Sequence, residues 1–143
     1  MEQLNVSFKL KGIELNALNL NQPKIPLNSE RGYSFNIDVE QRINIEEKLV
    51  IVSTTIDLIH EADKQIHASI KTSCIFLVEN MQDFNSASDF VKLPDQFIVT
   101  LNSISLSTTR GIMFSQFKGT FMHNVFLPIV NPTALNTEKT FVE

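Results

Sequence analysis

The stretch Tyr33-Ser34-Phe35-Asn36-Ile37-Asp38-Val39-Glu40 alternates large apolar and polar side chains without a break. A period of two marks a strand with one dry face and one wet face. Ile43 and Ile45 keep the same parity, so the strand carries on to about Ile45. Glu46-Glu47-Lys48 then reads as a turn. A second run, Leu49 to about His60, has Val50, Val52, Ile56 and Leu58 at even positions. A third, from about Gln65 to Val78, puts Ile66, Ala68, Ile70, Cys74, Phe76 and Val78 on one face. Three such runs in succession predict an antiparallel meander.

Parity also constrains register. Facing residues of an antiparallel pair have a constant number sum, and apolar residues face apolar ones. Between the first two runs odd must meet even, which requires an even-length turn around Glu46-Glu47. Between the second and third, even must meet even, which requires an odd-length loop around Asp63-Lys64.

Upstream, Leu4, Val6, Phe8 and Leu10 alternate with polar residues and form an earlier strand, which Gly12 interrupts. Residues 16–32, Asn-rich with Pro23, Pro26 and Gly32, read as a long connection. Downstream, residues 79–92 read as a loop with a short helical turn. From Pro94 to Lys118 the apolar step becomes three or four, through Phe97, Leu101, Ile104, Thr108 and Ile112. Pro94 before this segment and Gly119 after it are helix punctuation. Val99, Thr100, Thr108, Thr109 and Gly111 disfavour helix. A strand over Phe97–Ser107 competes, because Ile98, Thr100, Asn102, Ile104 and Leu106 share parity.

The chain has 143 residues, the size of one domain spanning 1–143. At this size roughly 70% of the unfolded chain's surface can be buried, so no disulfide or metal is needed to fold. The formal charge is −4, from 16 acidic and 12 basic residues. That counts against nucleic-acid binding, which needs clustered Lys and Arg to neutralise phosphates. The single cysteine, Cys74, fits a reducing compartment. Met1-Glu2-Gln3 lacks the basic and apolar features of a signal peptide. The densest apolar runs, Leu49–Val52 and Cys74–Val78, fall far short of the ~20 residues that span a bilayer. The expectation is a cytoplasmic protein without membrane insertion.

From Ser105 the chain reads Ser-Leu-Ser-Thr-Thr-Arg-Gly-Ile-Met-Phe-Ser-Gln-Phe-Lys-Gly-Thr-Phe, and later Leu127-Pro128-Ile129-Val130-Asn131. This resembles the C-terminal half of the SecB export-chaperone family. There a long helix ends in a basic residue, Gly and a small residue, as Lys118-Gly119-Thr120 does, and a Leu-x-x-Val-Asn-like turn follows. The upstream order also matches: one early strand, a long crossover, three antiparallel strands, then the helix. The resemblance spans roughly residues 3–135 and is most specific over 105–131. Thr108-Thr109-Arg110-Gly111-Ile112 looks more like divergent SecB-like proteins than the export chaperone proper.

The resemblance implies an α+β fold, a four-stranded antiparallel sheet with a long helix packed on one face. It implies a homodimer or homotetramer that holds unfolded polypeptide in apolar grooves without ATP, and hand-over to a SecA-type motor in the export form. Relatives that chaperone an antitoxin imply the alternative, an interaction protein dedicated to one partner, antitoxin-type or phage-related. The export chaperone's second C-terminal helix and acidic tail have only Pro132–Glu143 to match them here, room for a few helical turns at best.

Candidate polypeptide-binding residues are the apolar side chains of the second half, Phe76, Phe84, Phe90, Met113, Phe114, Phe117 and Phe121, with Phe97, Phe126, Met81 and Met122 in support. Aromatic area supplies affinity without sequence readout, and Met packs adaptably. The competing role for each is core or oligomer packing. Ser103, Ser107 and Gly111, at steps of four, suggest close approach of a partner helix, and a kink at Gly111 is the alternative. His60, His67 and Cys74 invite a metal, but parity puts the two histidines on opposite faces and no fourth ligand is evident. Asp38, Glu40 and Asp57 fall on the solvent face, as ordinary solvated carboxylates or as an acidic patch for a basic partner. No phosphate loop or nucleophile motif is present, so neither an enzyme nor a cofactor is expected.

Overall fold

The computed structural model describes residues 5–24, 32–84 and 92–131, and the backbone of 137–142. Its elements are β1 (Phe8–Leu20), β2 (Tyr33–Asn44), β3 (Leu49–His60), β4 (Ile66–Val78), a 3-10 turn (Met81–Phe84), α1 (Asp95–Phe117) and β5 (Thr137–Val142). The strands form one sheet in the order β1-β4-β3-β2-β5. β1 to β4 are antiparallel, and α1 packs on β3 and β4, so the expected α+β architecture holds. β5 adds a fifth strand, parallel to β2, where the sequence allowed only a few helical turns.

The meander has the register that parity required. Ile43 faces Val50 and Gln41 faces Val52, odd to even. Val50 faces Phe76 and Val52 faces Cys74, even to even. The β3–β4 loop reaches that parity by an unforeseen route. Ile59 pairs with Ile66 and Leu58 with Ala68, leaving His67 as a bulge. A bulge shifts side-chain parity by one. Ile66 therefore points outward, 44% exposed, and His67 turns inward, 2% exposed. The expectations of a buried Ile66, and of His60 and His67 on opposite faces, are both corrected by this one residue.

Bulges also rewrite β1. The strand runs through Gly12 to Leu20, so residues 16–20 belong to the sheet and not to the connection. Its register skips Lys11 and Asn16. Each skip flips parity, so Leu10 faces Phe76, Ile13 faces Cys74, Leu15 faces Thr72 and Leu18 faces Ile70. Directly paired residues share a face. The whole apolar set of β1 thus lies on the helix side, and the alternation that broke at Gly12 in the sequence is continuous in space. Asn80 fastens the strand's start: its side chain accepts from the Ser7 N–H and donates to the Asn5 carbonyl, both at 2.8 Å.

α1 is a helix throughout, so the strand alternative for Phe97–Ser107 fails. Its buried residues Phe97, Ile98, Leu101, Asn102, Ser105, Leu106, Thr109, Met113 and Phe117 form one helical stripe. Packing of that stripe outweighs the weak propensities. The threonines are accommodated by bonding back along the helix, Thr100, Thr108 and Thr109 donating to the carbonyls of Gln96, Ile104 and Ser105. Pro94 stands at the N-cap, and Gly119, at φ +79°, follows the C-cap Lys118. That left-handed φ suits glycine.

The core has two parts. Cluster 1 joins Val39, Ile43, Val50, Val52, Phe76 and Val78 to Phe97 and Leu101 of early α1. Cluster 2 joins Ile56, Leu58, Ala68 and Ile70 to Leu106, Met113 and Phe117 of late α1, with Met122 and Leu127 behind. Between them runs a buried polar seam of Gln41, Thr54, Thr72, Asn102, Ser105 and Thr109.

Candidate polypeptide-binding surface

The helix side of β1 keeps a continuous run of apolar surface open. Leu10, Ile13 and Leu15 are 44%, 47% and 42% exposed, although they stand beside buried Phe76, Cys74 and Thr72. The cause is geometric, because α1 lies chiefly over β3 and β4 and reaches the edge strand little beyond Phe8. At one end the strip meets Phe8, whose ring packs against Phe97 (4.9 Å, edge-on) and Phe76 (6.2 Å). Phe8 also lines a recess of about 480 Å³ with Asn5, Val6, Pro94, Asp95, Gln96, Phe97 and Thr100. β1 is an outer strand of the sheet, and among the described residues no strand pairs with its outer edge, so the backbone groups there can pair with an added strand.

The expected aromatic groove sits elsewhere. Phe76, Phe84, Met113 and Phe117 are buried and belong to the core of the single chain. Phe121 is half-buried against cluster 2. Phe114 is open, with the Lys118 ammonium 4.9 Å from its ring centroid. Phe126 and Ile129 are open too, at 59% and 96%. Phe90 lies outside the described residues. Leu10, Ile13 and Leu15 were missed because the bulges hid their shared face; the signal was an edge strand with leucine and isoleucine at both parities.

Ser107 and Gly111 are exposed on the outward side of α1 and Ser103 is partly so. A Cβ at Gly111 would meet nothing within 4 Å. The helix runs through Gly111 without a break in its span, Asp95–Phe117. Arg110 is a tie: Nε donates to the Leu127 carbonyl at 2.9 Å and Nη2 to the Pro128 carbonyl at 3.0 Å.

The histidines meet at the β3–β4 turn. The rings of His60 and His67 stack at 5.2 Å, and Tyr33 stands edge-on to both. His67 Nδ1 bonds the Tyr33 hydroxyl and Nε2 the Asp63 carboxylate, each at 2.9 Å. The Gln65 N–H and then His67 hold the Asp63 carboxyl below its usual range. Burial, then the Asp63 charge, pushes the Tyr33 phenol up. Burial likewise raises the Cys74 thiol, which disfavours a reactive thiolate. Among the described residues no group of three or more His, Cys, Asp or Glu is placed to hold a metal ion. No helix among them is long and apolar enough to cross a membrane.

A three-strand meander, a bulged first strand that reaches β4 by a long crossover and one helix over β3 and β4 define a SecB-like fold. A solved structure of the Mycobacterium tuberculosis Rv1957 SecB-like chaperone, in complex with a ChAD peptide from the Rv1956 HigA1 antitoxin, is similar to this chain with a TM-score of 0.62. The match covers 86% of this chain and 89% of that one at 10% identity. No protein-family model and no curated protein matches the chain.

Proposed function

We propose that this chain is a non-catalytic, ATP-independent polypeptide-binding protein of the cytoplasm, a SecB-like holdase. The occupant is an extended apolar segment of another protein. It adds along the β1 edge and sets its side chains on Leu10, Ile13 and Leu15, with a large end group in the Phe8–Phe97 recess. The observation that carries this reading is the open apolar strip beside a strand edge that no other described strand pairs. Strand addition draws affinity from backbone bonds and selectivity from alternate side chains. Assembly as a homodimer or homotetramer through the outward stripe of Ser103, Ser107 and Gly111 leaves that edge free.

A second reading, service to one dedicated partner, is favoured by the peptide held in the similar Mycobacterium structure, which comes from an antitoxin. Delivery to a SecA-type motor has no comparable support.

Light scattering of a chemically denatured model client tests the proposal. The protein at stoichiometric amounts suppresses aggregation, and Ile13→Asp with Leu15→Asp abolishes the effect without unfolding the chain. Full suppression by the double variant would remove the strip from the site. No suppression by the unaltered protein, with one stoichiometric partner in a pull-down, would leave the dedicated-partner reading.

A further inference from the structure

All three histidines of the chain lie at the cluster 2 end of the molecule, and two of them close turns in the same way. The Ala62 N–H donates to His60 Nδ1 at 3.1 Å in the β3–β4 turn. The Gly119 N–H donates to His123 Nδ1 at 2.9 Å in the turn that ends α1. A backbone amide always donates, so each Nδ1 must be a bare acceptor, and each ring must be neutral with its proton on Nε2. We propose that His60 and His123 make the cluster 2 end of this protein acid-releasable, holding its two turns only while their imidazoles are uncharged.

Protonation puts a hydrogen on Nδ1, opposite an N–H that has nowhere to turn. The bond is lost at both sites. His67 is different. Its Nε2 already meets Asp63, and the Tyr33 hydroxyl can reverse to accept from Nδ1, so His67 takes a proton without losing a partner. A charge there then faces the second one on His60 across a stack of 5.2 Å. Around His60 stand His67 from β4, Tyr33 from β2 and Asp63 from the turn, with Glu61 and Lys64 exposed in the same turn. Near His123 the charged residue of its own turn is Lys118.

The sign follows from the proton inventory. A contact that needs neutral imidazole is present at higher pH and is lost once the ring is protonated. Its loss loosens the β3–β4 turn at residues 60–62 and the turn after α1 at residues 119–123, beside the buried side chains Leu58, Ala68 and Phe117. The far end of the sheet has no histidine among its described residues and keeps its ties, including Asn80 to Ser7.

Hydrogen exchange on the full chain at about pH 7.5 and about pH 5.5, corrected for intrinsic rates, tests this. Segments around 60–67 and 117–124 should lose protection by roughly five- to tenfold, the equivalent of one hydrogen bond. The 76–82 segment should not change. His60→Asn and His123→Asn place an amide oxygen near the Nδ1 position without a titrating proton, so each should erase the response of its own turn alone. If His60→Asn fails to fold, the exposed His123 carries the test by itself. Equal loss in all three segments, no loss in any, or an unchanged response in the asparagine variants would overturn the inference.

Discussion

Thr54 places a fully buried hydroxyl in the core, with no hydrogen-bond partner among the described residues. An unmet buried polar group costs roughly 1–3 kcal/mol. Thr54→Val keeps the shape and removes the cost, so the unfolding free energy should rise by about 1 kcal/mol, read as a higher denaturant midpoint at unchanged slope. A fall would mean that a buried water satisfies the hydroxyl. Asp63 shows the opposite case. Its carboxylate is held by the Gln65 N–H and His67, and its folded value is depressed. Such a group stabilises above the ordinary carboxylate range, and the contribution is lost as pH falls through the lowered value. Asp63→Asn should therefore be less stable than the natural chain at neutral pH, and the gap should close in acid, as thermal unfolding across pH would show.

At the scale of elements, α1 contains one residue that its own chain does not require. Gly111 is exposed, and nothing lies where its Cβ would go. Glycine within a helix costs about 1 kcal/mol against alanine, so Gly111→Ala should stabilise the monomer by about that amount. Gly111→Leu separates the two reasons for keeping glycine. If the outward stripe packs against a second copy, leucine shifts sedimentation toward monomer while the fold survives; if sedimentation is unaltered, the stripe is not an interface. Arg110, the neighbouring residue, carries the element's other duty. Arg110→Ala should free the carbonyls of Leu127 and Pro128 and speed proteolysis of the 125–130 segment.

Across the whole molecule, what was legible in the sequence was whatever repeats with a fixed period. Tyr33–Val39, Leu49–Leu58 and Ala68–Val78 gave strands and register, because one unbroken face is enough to set both. The three bulges, at Lys11, Asn16 and His67, were not legible, because a skipped residue switches the parity and so reads as the end of an alternation. They decide the candidate site, bringing Leu10, Ile13 and Leu15 to one face and His60 against His67. The aromatic residues misled for a related reason, since composition does not say which side of a helix meets the sheet. The seam is the last such feature: polar residues at buried parities in β2, β3, β4 and α1 divide an otherwise apolar core. Its firmest bond runs from Gln41 Nε2 to Asn102 Oδ1 at 2.6 Å, between two fully enclosed side chains. Thr109 gives its proton to the Ser105 carbonyl, so Thr72 must donate across the 2.7 Å contact to Thr109, a second tie between sheet and helix. These bonds fix where α1 sits along the sheet, a position that two apolar clusters alone would specify less sharply. Asn102→Leu strands the Gln41 amide in a dry site and should cost about 2 kcal/mol. Adding Gln41→Leu removes the stranded group and should recover most of that loss, giving a favourable coupling in a double-mutant cycle. Additive losses would mean that each side chain is satisfied independently and that the seam does not act as a unit.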